Sequence, residues 1–366
     1  MIIDEPALDR APDGWRLSAA VDSALAPGGE RLHFTVHGGE PEWMPPVGDA
    51  FLAALMMPAM ALEEDVHVHA PVSRRLFRSA STIADIYTAW WPHLRPVDLR
   101  APVTTRAGGD AVGLFFTAGV DSFYSLLKDI GRSATPDWEP VTHLLFANFE
   151  RKTGPRYEHL LERLRHVAAR TGKQLLVVDT NVRSLCEPTT YWPEYHGAAL
   201  AAIALSLQGL LGRCLIAASD QYRHLPPLGS HPLLDPLFST EGLDIVHDGA
   251  EATRAEKVIR LADDGDLALD NLCVCWMSEP GRNCGHCQKC VGTMVALELA
   301  GASGRHPTLP LALDLEAVRA VAMPDEPGRV TTRSLVRDAE IRGRHDIADA
   351  LREGLRRAGD TEQVGG

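Results

Sequence analysis

Five cysteines stand close together in one segment, CVCWMSEPGRNCGHCQKC, and this grouping is suited to metal binding. The four that follow the spacing C-x8-C-x2-C-x2-C are Cys275, Cys284, Cys287 and Cys290. Two-residue gaps bring successive thiolates onto one metal, and four thiolates in a tetrahedron are typical of structural zinc sites. We therefore predict bound Zn²⁺, with Arg282 and Lys289 offsetting its charge; an iron–sulfur cluster is the alternative. Cys273 is the spare cysteine, and His286 is not expected to be a ligand.

A second stretch with chemical potential is the turn TAGVDS, which follows the apolar run AVGLFF. Its residues are Thr117, Ala118, Gly119, Val120, Asp121 and Ser122. A phosphate needs several backbone N–H groups that point one way, and small residues let it come close. The hydroxyls of the turn add donors, and Asp121 can hold Mg²⁺ beside pyrophosphate. The alternative is that Gly119 only makes a turn and Ser122 only caps a helix.

The elements around this turn alternate between strands and helices from residue 110 onward. The apolar segments AVGLFF, VTHLLFANF, KQLLVVDT and RCLIAAS are predicted strands, separated by helical segments such as PRYEHLLERLRHVAARTG. Buried strands separated by helices indicate a parallel sheet covered on both faces. The predicted fold class is therefore α/β with a doubly wound parallel sheet. Ligands bind such sheets beyond the carboxyl ends of the strands, which is where the turn at 117–122 lies.

Three regions are predicted along the chain. In residues 1–105, the segments GWRLSAAVD and ERLHFTVHG alternate apolar and polar residues around APGG, as in a β-hairpin, and STIADIYTAWWPHL has helical spacing. We interpret this region as a small α+β module. Residues 106–300 form the α/β domain with the cysteine segment, and residues 301–366 form a charged helical tail.

Composition limits the kinds of partner. The 366 residues carry a net charge of -13, which disfavours nucleic acid because affinity for phosphate backbones depends on clustered Lys and Arg. The apolar run FLAALMMPAMAL is broken by Pro58 and is too short to cross a bilayer. The first residues lack the basic and apolar regions of a signal peptide. We expect a cytoplasmic protein without a membrane partner that acts on a small molecule.

The turn resembles the PP-loop of the ATP pyrophosphatase superfamily, whose pattern is Ser-Gly-Gly-x-Asp-Ser. Here Thr117 keeps the hydroxyl of the first position, and Ala118 replaces the first Gly. Together with the cysteine spacing and the order of parts, residues 110–295 resemble 7-cyano-7-deazaguanine synthase. The segment ATRAEKVIRLADD is similar to that family's Thr-Lys-x-Glu stretch, which places Arg254 at its basic position.

The resemblance implies that ATP is cleaved between its α- and β-phosphates and that an adenylated acceptor is then captured by a nucleophile. It implies ATP and Mg²⁺ as cofactors, with Asp121, Ser122 and Arg254 as catalytic residues; His196, in a stretch that departs from the family, is a further catalytic candidate for proton transfer. Asn148 and Ser219, at the ends of two strands, would flank the adenosine. The acceptor is expected to be a small carboxylic acid and the nucleophile ammonia or an amine.

The pocket for the acceptor departs from the family. The family's Pro-x-Arg-Asn and Tyr-Pro-Asp-Cys stretches are replaced here by WPEYHGAA and QYRHLPPLGSHPLLD, so the deazaguanine substrate is not carried over. The residues predicted to build this pocket are Tyr195, His196, Tyr222, Arg223, His224, His231 and Asp235. Several histidines and an arginine can bind a carboxylate and transfer protons. The alternative is an ordinary solvated loop.

Two other functions stay open at the level of the sequence. One is sulfur transfer through a cysteine persulfide, with Cys186 as the first candidate thiol and Cys273 as the second. The other is a nucleotide-binding protein without catalysis, which Ala118 in place of glycine would suggest. We also expect that the apolar helix at 197–211 can support a homodimer.

Overall fold

The computed structural model describes residues 1–149, 153–275, 283–307, 309, 312–323 and 326–360, apart from the side chain of residue 327. Arg282, predicted to offset the charge of a zinc site, lies outside the described residues. Within them, no helix combines the length and the apolar character that a bilayer crossing needs.

The described residues form thirteen strands. They are β1 (Ile2–Ile3), β2 (Ala7–Ala11), β3 (Gly14–Asp22), β4 (Arg31–His37), β5 (Val66–Val68), β6 (Val72–Ser73), β7 (Leu99–Arg100), β8 (Val103–Thr104), β9 (Ala111–Phe115), β10 (His143–Asn148), β11 (Gln174–Thr180), β12 (Leu211–Ala217) and β13 (Asp244–Asp248).

The α-helices of the described residues are also numbered along the chain. They are α1 (Asp49–Leu62), α2 (Arg74–Trp90), α3 (Val120–Arg132), α4 (Pro155–Thr171), α5 (Val182–Cys186), α6 (Trp192–Ser206), α7 (Arg254–Asp263), α8 (Asp266–Asn271), α9 (Gln288–Leu299), α10 (Leu315–Ala320), α11 (Glu326–Ile341) and α12 (His345–Arg357). Two short 3-10 helices cover Pro41–Trp43 and Asp235–Phe238.

A mixed sheet forms the centre of the molecule, with the strand order β13-β12-β9-β10-β11-β4-β3-β1-β5-β7 and β2 paired with β3. Neighbouring strands from β13 to β11 are parallel, as predicted from their apolar runs and the helices between them. The α/β fold class is therefore confirmed. The sheet is mixed because strands from the first hundred residues extend it.

The predicted N-terminal hairpin is confirmed, but it is part of the central sheet. β3 and β4 pair antiparallel over their length. β4 then pairs antiparallel with β11, bringing Thr35 opposite Asp179 and Val36 opposite Val178. Because β4 pairs with β3 at one edge and with β11 at the other, strands of residues 1–105 and the parallel strands belong to one hydrogen-bonded sheet.

Two hydrophobic cores cover the two faces of the sheet. On one face, α1 packs against α6, and the glycine and alanine residues of α6 let the two helices approach closely. Its apolar surface is thus buried inside the chain, and the dimer contact expected at 197–211 is not available there. On the other face, α3, α4, α7 and α9 pack together with the cysteine segment.

Candidate functional site

The turn between β9 and α3 has the backbone geometry of a glycine-rich loop. Ala118 is fully buried and has a φ of 57°, in the left-handed region that costs alanine about 1 kcal/mol relative to glycine. Its carbonyl oxygen accepts a hydrogen bond from the N–H of Cys273 at 2.8 Å. Ala118 therefore adopts the left-handed conformation that a glycine would allow at this position. The hydrogen bond from Cys273 helps to stabilise it.

Gly119 stands at the N-cap position of α3 with φ -81° and ψ 167°, a conformation open to any residue. A Cβ built there would meet only Thr117 Oγ1 at 3.4 Å and the Cys273 carbonyl oxygen at 4.0 Å. No described side chain caps α3. Among the described residues, little therefore packs against Gly119 at the N-terminus of the helix, and their packing does not require a glycine there.

Ser122 stabilises the turn without capping the helix. Its hydroxyl donates to the Gly119 carbonyl oxygen at 3.1 Å and accepts the Thr117 N–H at 3.4 Å. The side chain is buried, so its hydroxyl belongs to the internal structure of the turn. The Thr117 side chain, by contrast, is exposed at the mouth of the turn.

The carboxylate of Asp121 forms ion pairs with two cationic side chains. Oδ2 lies 3.0 Å from Nη1 of Arg254, and Oδ1 lies 3.1 Å from Nζ of Lys257. Burial alone would raise the pKa of Asp121, but the charges of Lys257 and Arg254 outweigh it and hold the pKa below its ordinary value. The charge of Lys289 acts in the same direction. The turn is thus flanked by positive side chains.

Both cations come from the first turns of α7, on one face of the helix. A capping box between Thr253 and Glu256 fixes where α7 begins. Arg254 also donates to Thr293 Oγ1 at 3.2 Å, and the fully buried Lys257 donates to the Ala218 carbonyl oxygen at 2.6 Å. Arg254 is therefore a partly buried residue of the site, not an exposed helix residue. The i, i+3 spacing was the available signal for Lys257, which the sequence analysis missed.

Asn148 and Ser219, predicted to flank an adenosine, have different surroundings. Asn148 is buried at the end of β10 and donates to Asp179 Oδ1 at 2.8 Å. His37 bonds the other oxygen of Asp179 at 2.9 Å, so the N-terminal hairpin contributes to this polar network. Ser219 is exposed immediately after β12.

A cavity of about 110 Å³ lies beyond the carboxyl end of β12, next to the turn. Its polar lining consists of His196, Ser219, Asp220, Ser230, His231 and His247. Burial and the charge of Asp121 raise the pKa of Asp220 to about 6. Asp220, Ser230 and His247 were not predicted as site residues, because an isolated Asp, Ser or His near a strand end has no distinctive spacing.

The structure brings together some of the predicted acceptor residues. His196 and His231 line the cavity, and Asp235 is buried behind it. Tyr222 is exposed on an adjoining open groove with Trp90 and Leu233.

Arg223 and His224 follow Tyr222 in the chain, but they do not line the cavity. Arg223 is exposed. Burial and the charges of Arg337 and Arg223 lower the pKa of His224. These two residues therefore belong to a basic surface outside the cavity.

Tyr195 and Cys186 are not where the sequence analysis expected chemistry. Tyr195 is fully buried; its hydroxyl donates to the Ala54 carbonyl oxygen at 2.7 Å and lies 3.2 Å from the Cys186 sulfur. Burial raises the pKa of Cys186 to about 12. Because both groups face α1, Tyr195 cannot line the acceptor pocket, and Cys186 has neither the access nor the thiolate character of a nucleophile.

The predicted cysteine cluster is assembled. The sulfur atoms of Cys275, Cys284, Cys287 and Cys290 all lie within 4.8 Å of one another, so they could hold a metal ion. Cys287 stands at the N-cap of α9, and its N–H points to the Cys284 sulfur at 3.2 Å. Asn283 Oδ1 accepts the N–H groups of Val274 and Cys275 at 3.0 and 3.1 Å. Cys273 and His286 are not part of the group, as expected.

Comparison of this chain with protein-family models and with curated proteins finds no match. Function is therefore inferred from the geometry of the turn, the cavity and the cysteine cluster.

Proposed function

We propose that this chain is an ATP-dependent adenylating enzyme of the PP-loop type, similar to 7-cyano-7-deazaguanine synthase. It would transfer AMP to a small carboxylic acid and pass the activated acid to ammonia or an amine. The observation that carries the proposal is an uncapped helix N-terminus at Gly119 beside Arg254 and Lys257. Backbone amides and cations at one point favour a polyphosphate.

In the first step, a carboxylate oxygen of the acceptor attacks the α-phosphorus of ATP. The bond from this phosphorus to the bridging oxygen breaks, and pyrophosphate leaves with the electron pair. Charge on the leaving group would be stabilised by the first amides of α3 and by Arg254 and Lys257. Asp121 holds both cations by ion pairs and so positions them.

Mg²⁺ would take most of its oxygen ligands from the phosphates of ATP. Both oxygens of Asp121 already accept bonds, which makes Asp121 a poor sole ligand. Asp220 is a second carboxylate near enough for Asp121 to raise its pKa. Asp121 therefore fits a role beside the metal together with the phosphate oxygens, whereas Asp220 lines the neighbouring cavity.

Zn²⁺ would be structural at the four cysteines, since four thiolates leave no open position for a substrate. The position of the four cysteines in the fold supports this structural role. Cys275 is two residues from Cys273, whose N–H holds Ala118, and Cys290 lies in α9. Metal analysis of the purified protein is expected to find one zinc per chain, and Cys290→Ser is expected to lose it.

The sharpest test of nucleotide binding is Gly119→Ala. The added methyl group fits the chain itself but projects where a phosphate would lie. We expect ATP affinity, measured by calorimetry, to fall at least about tenfold, which corresponds to about 1.4 kcal/mol, with an unchanged melting temperature. Gly292→Ala is the matched control, since its methyl group would meet only Leu335 Cδ1 at 3.6 Å. Equal ATP affinity in both variants would contradict the proposal.

Adenylation itself is tested by exchange of labelled pyrophosphate into ATP in the presence of individual carboxylic acids. A panel of aliphatic, aromatic and heteroaromatic acids serves as probe, and exchange with at least one of them is expected. Binding of ATP without exchange for any acid would favour a nucleotide-binding protein without catalysis.

Sulfur transfer remains a second candidate because Cys273 lies against the turn. Its N–H binds Ala118, and the thiol is half-buried, with a pKa that burial raises. If a persulfide at Cys273 supplies the nucleophile, Cys273→Ser would abolish product formation and leave pyrophosphate exchange intact. Unchanged product formation in this variant would exclude that route.

A further inference from the structure

His247, which the proposed function has not used, lines the cavity and has one buried, unsatisfied ring nitrogen. It lies on β13, and its side chain is only 4 % exposed. Nδ1 lies 2.7 Å from Asp235 Oδ2, whereas Nε2 has no hydrogen-bond partner among the described residues. Leaving a buried polar atom without a hydrogen bond is destabilising. A ligand in the cavity that His247 lines would remove this cost.

Asp235 fixes the orientation and the protonation of this ring. It is fully buried and accepts hydrogen bonds from Ser230 Oγ at 2.7 Å and from the His231 N–H at 3.3 Å. A carboxylate facing Nδ1 requires a proton on that nitrogen. In the tautomer that carries its only proton on Nδ1, Nε2 of His247 offers a lone pair.

The other histidines of the cavity have tautomers that their partners define. His196 Nδ1 faces the Pro193 carbonyl oxygen at 3.2 Å and must donate, so its Nε2 is an acceptor. His231 Nδ1 accepts the Leu233 N–H at 3.0 Å, so its Nε2 carries the proton. Burial lowers the pKa of both imidazoles, which keeps them neutral.

The cavity is consequently rich in acceptors. The Nε2 atoms of His196 and His247 and the carboxylate of Asp220 accept, whereas His231 donates. The serine hydroxyls adapt to either role. Such a set suits a ligand with several N–H groups, and about 110 Å³ admits a few heavy atoms. A carboxylate would meet lone pairs and a negative charge there.

We infer that this cavity binds ammonia or a small primary amine, and that His247 takes up its proton as it attacks the adenylated acid. The inference rests on the proposed function for the identity of the electrophile. The cavity adjoins the turn because β12 is the neighbour of β9, and Lys257 bridges them by binding both Asp121 and the Ala218 carbonyl oxygen.

The step balances without another reactant. The amine nitrogen forms a bond to the carbonyl carbon of the acyl adenylate, and the bond from that carbon to the phosphate oxygen breaks. AMP leaves with the electron pair, and the surplus proton moves from the nitrogen to His247 Nε2. Asp235 stabilises the imidazolium that results, as a positioning residue. The charged or titratable groups around His247 are Asp220, Asp235, His196 and His231.

Binding is tested without ATP, using protein with ¹⁵N-labelled histidine. Methylammonium chloride is the probe, and tetramethylammonium chloride, which has no N–H group, is the control salt. We expect methylammonium to shift the His247 Nε2 resonance saturably and tetramethylammonium to leave it unchanged. His69→Gln, an exposed site on the N-terminal strands, serves as control variant and keeps the response. Equal shifts with both salts would overturn the inference.

The proton-transfer role is tested by comparing two half-reactions. His247→Gln is expected to lower methylamide formation about 100-fold more than it lowers pyrophosphate exchange. Asp235→Asn is expected to invert the His247 tautomer, which ¹⁵N shifts report directly. Wild-type protein that binds methylammonium but lacks exchange would refute the proposed function alone. Exchange with equal losses of both half-reactions in His247→Gln would refute the role of His247.

Discussion

The turn at 117–122 contains a partly buried carboxylate, and a fully buried carboxylate lies behind the cavity beside it. Different kinds of group form the contacts of these two carboxylates. Asp121 is held by two permanent cations, Arg254 and Lys257. Asp235, which is fully buried, accepts among the described residues from a hydroxyl, a backbone N–H and an imidazole. The first arrangement keeps positive charge beside the helix N-terminus, whereas no Lys or Arg is among the described residues that line the cavity.

This difference matches the two half-reactions that we propose. A polyphosphate needs positive charge, whereas an amine that must lose a proton needs acceptors and is repelled by cations. A single pocket could not serve both needs. Adjacent strands of one sheet separate the two environments and still keep them in contact through Lys257.

The largest effect is expected from Asp121→Asn, which leaves the fully buried Lys257 uncompensated. We expect the free energy of unfolding, measured in urea, to fall by about 3 kcal/mol. Adding Lys257→Met should recover much of this loss. Glu187→Gln, which breaks the exposed Arg183 pair, is the control and should cost under about 1 kcal/mol. Equal losses in both single variants would contradict the account of Asp121.

Asp235→Asn is expected to cost less, because the described partners of Asp235 are a hydroxyl, a backbone N–H and an imidazole and include no lysine or arginine. The variant weakens the hydrogen bonds from Ser230 and His247, but it leaves no lysine or arginine without an ion-pair partner. We expect a loss of about 1–2 kcal/mol in the free energy of unfolding. Asp244→Asn, at an exposed pair with Arg75, is the control and should stay within about 0.5 kcal/mol. If Asp235→Asn lowered the free energy of unfolding more than Asp121→Asn does, the expected order of the two carboxylates would be wrong.

Asp220→Asn should instead stabilise the protein. The pKa of Asp220 is raised from 3.8 to about 6, so its ionised form is disfavoured by folding. The free energy of unfolding of the wild type should match that of the variant below pH 4, fall behind it as the pH rises to 6, and then stay lower by a constant amount. Urea unfolding at several pH values measures this. A difference that grows toward low pH would have the wrong sign.

The smallest effect is expected from Ala118→Gly. Relief of the left-handed backbone gains about 1 kcal/mol, and the lost methyl group and the freer unfolded chain offset it. The free energy of unfolding should therefore change by less than about 0.5 kcal/mol. Ala255→Gly, equally buried but helical in α7, should destabilise by about 1 kcal/mol. Similar losses at both positions would mean that Ala118 is not strained.

Much of the framework could be predicted from local pattern. Apolar runs between helical segments predicted the parallel strands β9 to β12, and the spacing of the cysteines predicted their cluster. These features are encoded by residues near one another in the chain. The dimer contact and the place of Tyr195 were wrong because α6 is apolar on nearly every face, so its composition does not say which face meets α1.

The sequence by itself determined the alternation of elements, the turn after β9 and the thiol cluster, because each depends on backbone propensity and short spacing. Only the tertiary structure decided that Lys257 meets Asp121, that His247 meets Asp235, and that the N-terminal hairpin joins β11. Such pairs lie on different strands and helices. Their contact depends on strand order and register, which single side chains do not specify.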